Sequence, residues 1–585
     1  MMETIKTTME VFEVLLAEGM QAELAEHIVT QDVQVYTFKL TWTESNAERD
    51  DAFLFRWRVP MVGIMYAFHP KCGINHTIAP DWSNSVKHMI SNGAPLNCYF
   101  DGQNRNKYTV AISEAQMLTR VKNGIVEENG CLELEYSMAV KQFTKRYETT
   151  FSIRIDTRQI PVYQAVSSAV AWWEELGFTP AFVPEAAKEP SYSFWYSFHQ
   201  DITDKDVEEE CERARELGFR VCIVDDGWQT ADAGRGYAYC GDWEPCAGKF
   251  PDMAAHVKRV HDLGMKYILW YSVPFVGRFS KAYSCFQTMF LRATERENEY
   301  ILDPRYKEVR GYLIGKYKDA LRYWDLDGLK LDFIDSWNDR EENAPANEKM
   351  DVPSLQDAVN AFMTEAMSEL KHIKPNLLIE FRQNYIGPHM RSFGNMFRVM
   401  DCPGDYIKNR VGILDLRMLM GKTAVHSDML MWHQEESAQR NALQIIGVLF
   451  GVMQYSAKLD RLTEETKRMS KFWLDFMKEK KGTLLEGELR SYDPHLNYTW
   501  AEAIGDKESI VAVYAENRCV TPEKKETIYL ANGTTENRVL VEISGEYQVT
   551  IRNCCGDILS EKKQTMCGIT SITVPEGGLA EFIAL

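Results

Sequence analysis

The chain has 585 residues, 45% of them hydrophobic and 26% charged, a balance that excludes collagen-like and wholly disordered classes. With 85 acidic and 66 basic side chains its net charge is −19, so its surface repels phosphate backbones and nucleic acid is not expected as a partner. At about 150 residues per domain, this length calls for three or four units, or one large barrel with additions.

The first residues, MMETIKTTMEVFEVLLAEG, interrupt their apolar positions with acids and lack a small-residue cleavage site, so they do not read as a signal peptide. From about residue 30 to 160, short runs alternate apolar and polar positions: VQVYTFKLTW, FLFRWRVP, CLELEYSMAV and TTFSIRI, with turn residues such as Asn129-Gly130 between them. Period-two alternation with regular turns predicts an antiparallel β-sandwich.

From about 190 to 480 the texture changes. Eight apolar runs (SYSFWYSFH, RVCIVDDGW, KYILWYSVPF, GLKLDFIDSW, LLIEFRQNY, FRVMD, TAVHSDMLMW and VLFGVMQYSA) alternate with amphipathic helical segments. One of these helices, DKDVEEECERARELG, opens at a Thr203/Asp204 cap and ends at Gly218. Eight strands alternating with helices predict a (β/α)₈ TIM barrel. Beyond about 490 the helical period is lost, and IVAVYAEN, ETIYLANG, YQVTIRN and ITSITVPEGGLAEFIAL predict a small C-terminal β-sandwich. The expected organisation is therefore multidomain, α/β and all-β: an N-terminal β-sandwich over 1–165, a catalytic barrel over 166–485 and a C-terminal β-sandwich over 486–585.

The longest strongly apolar stretch, Ala442 to Met453, is short of the roughly 20 residues that span a bilayer, so no membrane partner is expected. The 13 cysteines are scattered without a CxxC pair, which predicts a reduced, cytoplasmic protein with free thiols. Fourteen Trp and 27 Tyr, many beside acids, hint at hydroxyl-rich ligands such as sugars.

Catalytic residues of such barrels come from the C-terminal ends of the strands. There the runs carry Trp195, Tyr196 and His199; Asp225, Asp226 and Trp228; Trp270 and Tyr271; Lys330, Asp332 and Asp335; Glu380 and Arg382; Arg398 and Asp401; His426 and Asp428. Alternation puts Lys330 and Asp332 on one face of their strand, and a carboxylate beside an ammonium stays ionised, as a nucleophile must. Asp401, on another strand, can supply a general acid. Two carboxylates 5–5.5 Å apart run a retaining glycosidase and a wider pair an inverting one. Of the consecutive acids Asp225 and Asp226, one can receive hydroxyls while the other faces elsewhere. His426, Asp428 and His433, or His256 and His261, lack the spacing of a metal set, and there is no GxGxxG or GxxxxGK[ST] phosphate cradle. No metal or organic cofactor is expected.

The ordered segments WYSFHQDIT, IVDDGWQ, GDWEP with KFPDM, HDLGMKYILWYSVPF and DGLKLDF resemble the α-galactosidase (melibiase) family, glycoside hydrolase family 36. The resemblance covers about 190 to 430. It implies Asp332 as nucleophile, Asp401 as acid/base, Asp225 and Asp226 as binders of the sugar's 4- and 6-hydroxyls, Trp270 as a packing surface, and Lys330 and Arg398 as hydrogen-bond donors. Trp195 is similar to the aromatic lining of the first strand. The sequence departs from the family in two places. Where many members carry a cysteine and a glycine run near the sugar's 2-position, this chain has Arg382 and Gln383, so that Arg382 becomes a substrate-binding candidate. Asp401-Cys-Pro-Gly-Asp405 holds a second acid, and Asp405 rivals Asp401 for the acid/base role. The expected activity is a retaining exo-α-glycosidase acting on terminal galactose-like units of an oligosaccharide or glycoside. An α-N-acetylgalactosaminidase or galacturonidase, a transglycosylase of raffinose-synthase type and a non-catalytic carbohydrate-binding barrel stay open. The resemblance also implies that the chain can form a homo-oligomer.

Overall fold

The computed structural model describes residues 2–6, 11–43, 52–83, 85–143 and 146–585; part of the stretch read for a signal peptide, residues 7–10, lies outside them. Two six-stranded antiparallel sheets form the N-terminal sandwich. One contains Met2–Lys6, Val11–Leu15, Ala52–Pro60, Cys131–Ala139, Thr119–Val126 and Val86–His88 in spatial order. The other contains Gln21–Thr30, Val33–Thr41, Glu148–Asp156, Asn106–Ile112, Leu96–Phe100 and Tyr66–Phe68. The strand Val33–Thr41 buries Tyr36, Phe38 and Leu40 at alternate positions and exposes Lys39, the half-buried pattern that period two encodes. Phe12 of the first sheet meets Phe38 of the second edge-on at 5.3 Å, so aromatic side chains join the layers.

Eight parallel strands build the barrel: β1 (Ser191–Ser193), β2 (Val221–Val224), β3 (Lys266–Ser272), β4 (Gly328–Asp332), β5 (Leu378–Arg382), β6 (Met396–Arg398), β7 (Ala424–His426) and β8 (Gln454–Tyr455). β8 pairs with β1, and a bridge between His426 and Val452 joins the two ends of the sheet. The resulting (β/α)₈ barrel, with β-sheets on either side of it in the chain, is the expected fold class. Each strand is short and nearly continuous in apolar residues because helices cover its outer face.

Strand alternation fills the interior in layers. Val221, Ile223, Ile268, Leu378, Met396 and Ala424 form an apolar cluster at the base. Gly328 belongs to this layer, where a Cβ would stand 2.6 Å from Leu378 Cβ. Two residues further along the strands come Trp270, Lys330, Glu380, Arg398 and His426, and beyond them Ser272, Asp332 and Arg382. The interior therefore runs from hydrocarbon to charge along the barrel axis.

The C-terminal sandwich pairs a seven-stranded sheet, from Glu488–Tyr492 to Leu579–Ala584 in the chain, with a three-stranded sheet of Cys519–Val520, Val539–Glu542 and Ile569–Ile572. A three-stranded antiparallel sheet (Phe275–Gly277, Phe290–Ala293, Glu299–Leu302) is inserted after β3, where no strands were expected. The expected divisions at 165/166 and 485/486 fall inside the helices Val162–Glu175 and Lys481–Glu486, and we propose residues 157–161 and Gly487 as the seams.

Two local expectations change. The first barrel run does not carry its strand to His199. After Ser193 the chain turns into the helical segment Trp195–Phe198, because the backbone N–H of Phe194 makes the last ladder bond, to Ile223. The helix Asp204–Leu217 is capped by a reciprocal box of Thr203 with Asp206, three residues on, rather than with Asp204. Replacing Gly328 with Ala forces a methyl group into the filled base layer. We expect a stability loss of about 1–3 kcal/mol, read from urea unfolding of the two proteins.

Candidate active site

The expected nucleophile, Asp332, ends β4 and is buried. Its Oδ1 accepts hydrogen bonds from Arg382 Nε at 2.6 Å, the Phe333 backbone N–H at 2.8 Å and Tyr385 OH at 3.4 Å. Its Oδ2 accepts one from Trp270 Nε1 at 3.1 Å. Burial pushes this carboxyl upward, but the charges of Arg382, Lys330 and Arg398 overcome it and hold the group well below the usual carboxylate range. Phe333, the next residue, adopts a left-handed conformation at φ 64° and stacks on Phe275 at 4.6 Å, an uncommon backbone state for a bulky side chain.

Lys330 does not pair directly with Asp332. Its ammonium lies 2.5 Å from Asp225 Oδ2, and its charge reaches Asp332 through space. Burial lowers the Lys330 pKa, yet Asp225 and the other interior acids bring it out above the ordinary lysine value. Asp226 has partners different from those of Asp225. It accepts from Gln200 Nε2 and Gln229 Nε2, both at 2.6 Å, and burial with no cation in contact pushes its carboxyl to about 7. The turn that separates these acids from Trp228 needs Gly227, whose φ is 119° and where a Cβ would stand 2.5 Å from Gln200 Cα.

Arg398, at the end of β6, is fully enclosed and shared among acids. It lies 2.8 Å from Asp401, 2.5 Å from Asp428 and 3.7 Å from Glu380. Asp401 stands at the rim with half of its side chain open to solvent. Burial raises its pKa, but Arg398 and Lys330 outweigh burial and the charge of Asp332, so the carboxyl sits below its ordinary value. Asp428 is wholly buried and pushed up by burial despite Arg398. Its Oδ2 accepts from Tyr196 OH at 2.9 Å and Cys402 N–H at 2.6 Å.

Asp405 has a different task. It caps the helix Tyr406–Leu419, accepting from the Lys408 N–H at 3.0 Å, and its charge meets Lys408 Nζ at 3.3 Å. The rim thus brings together Asp225, Trp270, Lys330, Asp332, Arg382, Arg398 and Asp401. Trp195 lies on the turn beyond β1, edge-on to His199 at 4.6 Å. Tyr385, Gln200, Gln229 and Tyr237 were not singled out from the sequence. Tyr385 follows Arg382 by three residues, the one available signal, whereas Tyr237, stacked with Trp270 at 6.1 Å, lies in a long loop without periodicity. A cleft of about 610 Å³ lined by Tyr237, Phe275, Phe333 and Arg296 opens beside these groups.

The histidines weighed as metal ligands have other partners. His426 bonds the Ala187 carbonyl at 2.8 Å, His256 bonds Glu208 at 2.7 Å and His261 bonds Asp327 at 2.7 Å, while His433 is exposed. Among the described residues no group of three or more His, Cys, Asp or Glu side chains is placed to hold a metal ion.

With Asp332, Lys330 and the Asp225/Asp226 turn in place, comparison with known proteins becomes informative. Residues 192–384 match the Melibiase family model. Over this third of the chain the sequence is similar to that family. α-Galactosidase 1 of Pediococcus pentosaceus is 26% identical over 144 residues, 24% of this chain and 20% of that protein. α-Galactosidase AgaA of Geobacillus stearothermophilus is 25% identical over 146 residues, 24% of this chain and 20% of that protein. The aligned part thus spans about a fifth of these relatives' length. Beyond the matched residues the likeness is one of fold. The crystal structure of AgaA, described as a GH36 α-galactosidase, superposes with a TM-score of 0.65 at 13% identity, covering 98% of this chain and 83% of that one. An AgaA variant in complex with raffinose superposes at 0.64 with 14% identity, covering 98% and 83%.

Truncating Asp428 to Ala leaves Arg398 short of a buried partner and strands Tyr196 OH and the Cys402 N–H. We expect a loss of about 3–5 kcal/mol in urea unfolding, the range for breaking a buried ion pair.

Proposed function

We propose that this protein is a retaining exo-α-glycosidase that removes terminal α-linked galactose-like units. The observation that carries the reading is Asp332, held ionised at the end of β4 by three cations, with a second carboxylate, Asp401, on the same rim. The melibiase match and the α-galactosidase names of the relatives support the same sugar class, and raffinose in the AgaA variant supports an oligosaccharide substrate.

In the proposed cycle Asp332 attacks C1 while Asp401 protonates the departing oxygen. Asp401 then takes a proton from the water that releases the sugar. Asp401 must be protonated before the first step. Sugar seated against Asp401 removes water from its exposed half and pushes its pKa up, and esterification of Asp332 removes the neighbouring negative charge for the second step. Asp225, Asp226, Trp270, Lys330 and Arg398 bind the sugar, with Trp195 at the outer rim. Arg382 is spent on Asp332 and Asp335, which favours a neutral sugar over one bearing a carboxylate. Free thiols throughout, among them the buried Cys98, Cys211, Cys222 and Cys240, support a reducing, cytoplasmic setting, and no described helix is long and apolar enough to cross a membrane. Self-association is read directly by light scattering.

A panel of p-nitrophenyl glycosides (α-galactoside, α-N-acetylgalactosaminide, α-galacturonide, β-L-arabinopyranoside and α-glucoside) tests the reaction. Release from the α-galactoside, abolished in Asp332→Ala, is the expected result. Release from another sugar alone moves the substrate, and release in the Asp332→Ala protein removes the nucleophile. High concentrations of a sugar acceptor separate hydrolysis from transfer.

Asp401→Asn should lose turnover of unactivated α-galactosides by at least about 100-fold and regain aryl-galactoside turnover with added azide. Asp405→Asn keeps the helix cap and should stay within about threefold of the parent. Equal losses in both would reassign the acid.

Because Asp226 takes up its proton near pH 7, its oxygens accept sugar hydroxyls best above that pH. KM for the α-galactoside should rise as pH falls from 8 to 6, and Asp226→Asn should show a raised KM with no such slope.

A further inference from the structure

The two oxygens of Asp332 are not equivalent. Oδ1 receives Arg382, the Phe333 N–H and Tyr385, whereas among the described residues Oδ2 receives Trp270 alone. The guanidinium that holds Oδ1 is itself fixed from several sides. Its Nη1 donates to the Gln383 carbonyl at 2.9 Å and to Asp335 Oδ2 at 3.4 Å, and its Nη2 donates to Asp335 Oδ1 at 3.3 Å. Phe333 lies 5.2 Å from its central carbon and Tyr385 5.5 Å, each presenting a ring face. A group held at both ends and stacked on two rings has little freedom to swing toward a ligand.

Resting on the reading of Asp332 as the nucleophile, we propose that Arg382 is a positioning residue that immobilises Oδ1 and so makes Oδ2 the attacking atom and Asp332 a good leaving group. In the first step a lone pair of Oδ2 forms the bond to C1. The glycosidic C1–O bond breaks, its electron pair goes to the leaving oxygen, and that oxygen takes the proton of Asp401. In the second step water attacks C1 and gives its proton to Asp401, and the C1–Oδ2 pair returns to Asp332. The Nε–H on Oδ1 stabilises the carboxylate as it departs, which speeds this second step at some expense to the first.

Other groups bear on Asp332 and remain when Arg382 is changed. Lys330 and Arg398 act on it as cations, while Asp335, Asp401 and Tyr237 exchange charge effects with it across the cleft. Asp225 neutralises Lys330, and Asp226 acts on Tyr237. Lys71 of the N-terminal sandwich acts on Asp335. The direct bond to Oδ1 is what Arg382 adds.

The test compares the parent protein with Arg382→Met, which keeps the length and removes the charge, and Arg382→Lys, which keeps the charge without the fork. The readout is the pH profile of kcat/KM, with kcat and KM, on whichever p-nitrophenyl glycoside the parent cleaves. For Arg382→Met we expect kcat lower by about 100-fold. KM should fall with it as the glycosyl-enzyme accumulates, and the acid limb should move up by about 1–3 pH units. For Arg382→Lys the limb should stay near that of the parent while kcat remains reduced. An unmoved acid limb in Arg382→Met, or a KM that rises while kcat is unchanged, overturns the proposal and makes Arg382 a sugar-binding residue.

If the parent cleaves no glycoside, the functional reading fails by itself. The pairing is then judged from urea unfolding midpoints of Asp332→Asn, Arg382→Met and the double variant. Additive effects overturn the proposal and non-additive effects support it.

Discussion

A carboxylate enclosed at the end of a barrel keeps its charge only if cations share the enclosure, because burial alone drives it to the neutral form. Much of this molecule follows from meeting that requirement for Asp332. Lys330, Arg382 and Arg398 rise from three different strands, and Arg382 and Arg398 each meet more than one acid. Lys330 neutralises Asp225, Arg382 spans Asp332 and Asp335, and Arg398 meets Asp401, Asp428 and Glu380. Acids outnumber cations here, and the deficit falls on acids other than Asp332 and Asp401. Glu380 and Asp428 are pushed up by burial, whereas Asp332 is pulled down.

That arrangement needs a rigid floor. The strand period of two sets the same inward positions on every strand, so a layer of Val, Ile, Leu and Met closes the base before the first charge appears. At Gly328 a Cβ would meet Leu378 of β5 and Ile268 of β3, and the same strand carries Lys330 and Asp332 two and four residues later. Packing at the bottom therefore sets the height and direction of Asp332, and an error of one residue in register would turn the whole charged face outward.

The eight barrel strands and the two flanking sandwiches were legible because each rests on a local signal: buried apolar runs between amphipathic helices, or alternation between turns. Asp332, Arg382 and Arg398 could be read as rim residues because they end such runs. Pairings that join residues far apart in the chain were not legible. Lys330 finds Asp225, 105 residues away, rather than Asp332 two residues on, since side chains on one face of one strand compete with those of neighbouring strands. The separate tasks of Asp401 and Asp405 were equally hidden, because a cap and a rim acid look alike until the helix start at Tyr406 is known. The sheet inserted after β3 and the placing of Tyr237 beside Trp270 depend on tertiary contacts that no sequence period reports.

The N-terminal sandwich is tied to the loops at the rim of the barrel. The Gly93 N–H donates to the Asn384 carbonyl at 2.5 Å, two residues past Arg382, and Ser91 Oγ donates to the Trp337 carbonyl at 2.9 Å, two residues past Asp335. Both loops that fix the Arg382 guanidinium are thus tied to a different folding unit. A barrel cut free of its first 160 residues would keep every strand-borne side chain of the site, yet would lose the outer brace on the two segments that aim it. The sandwich is in this sense part of the wall of the candidate site, and the smallest unit that holds the site together extends well beyond the barrel.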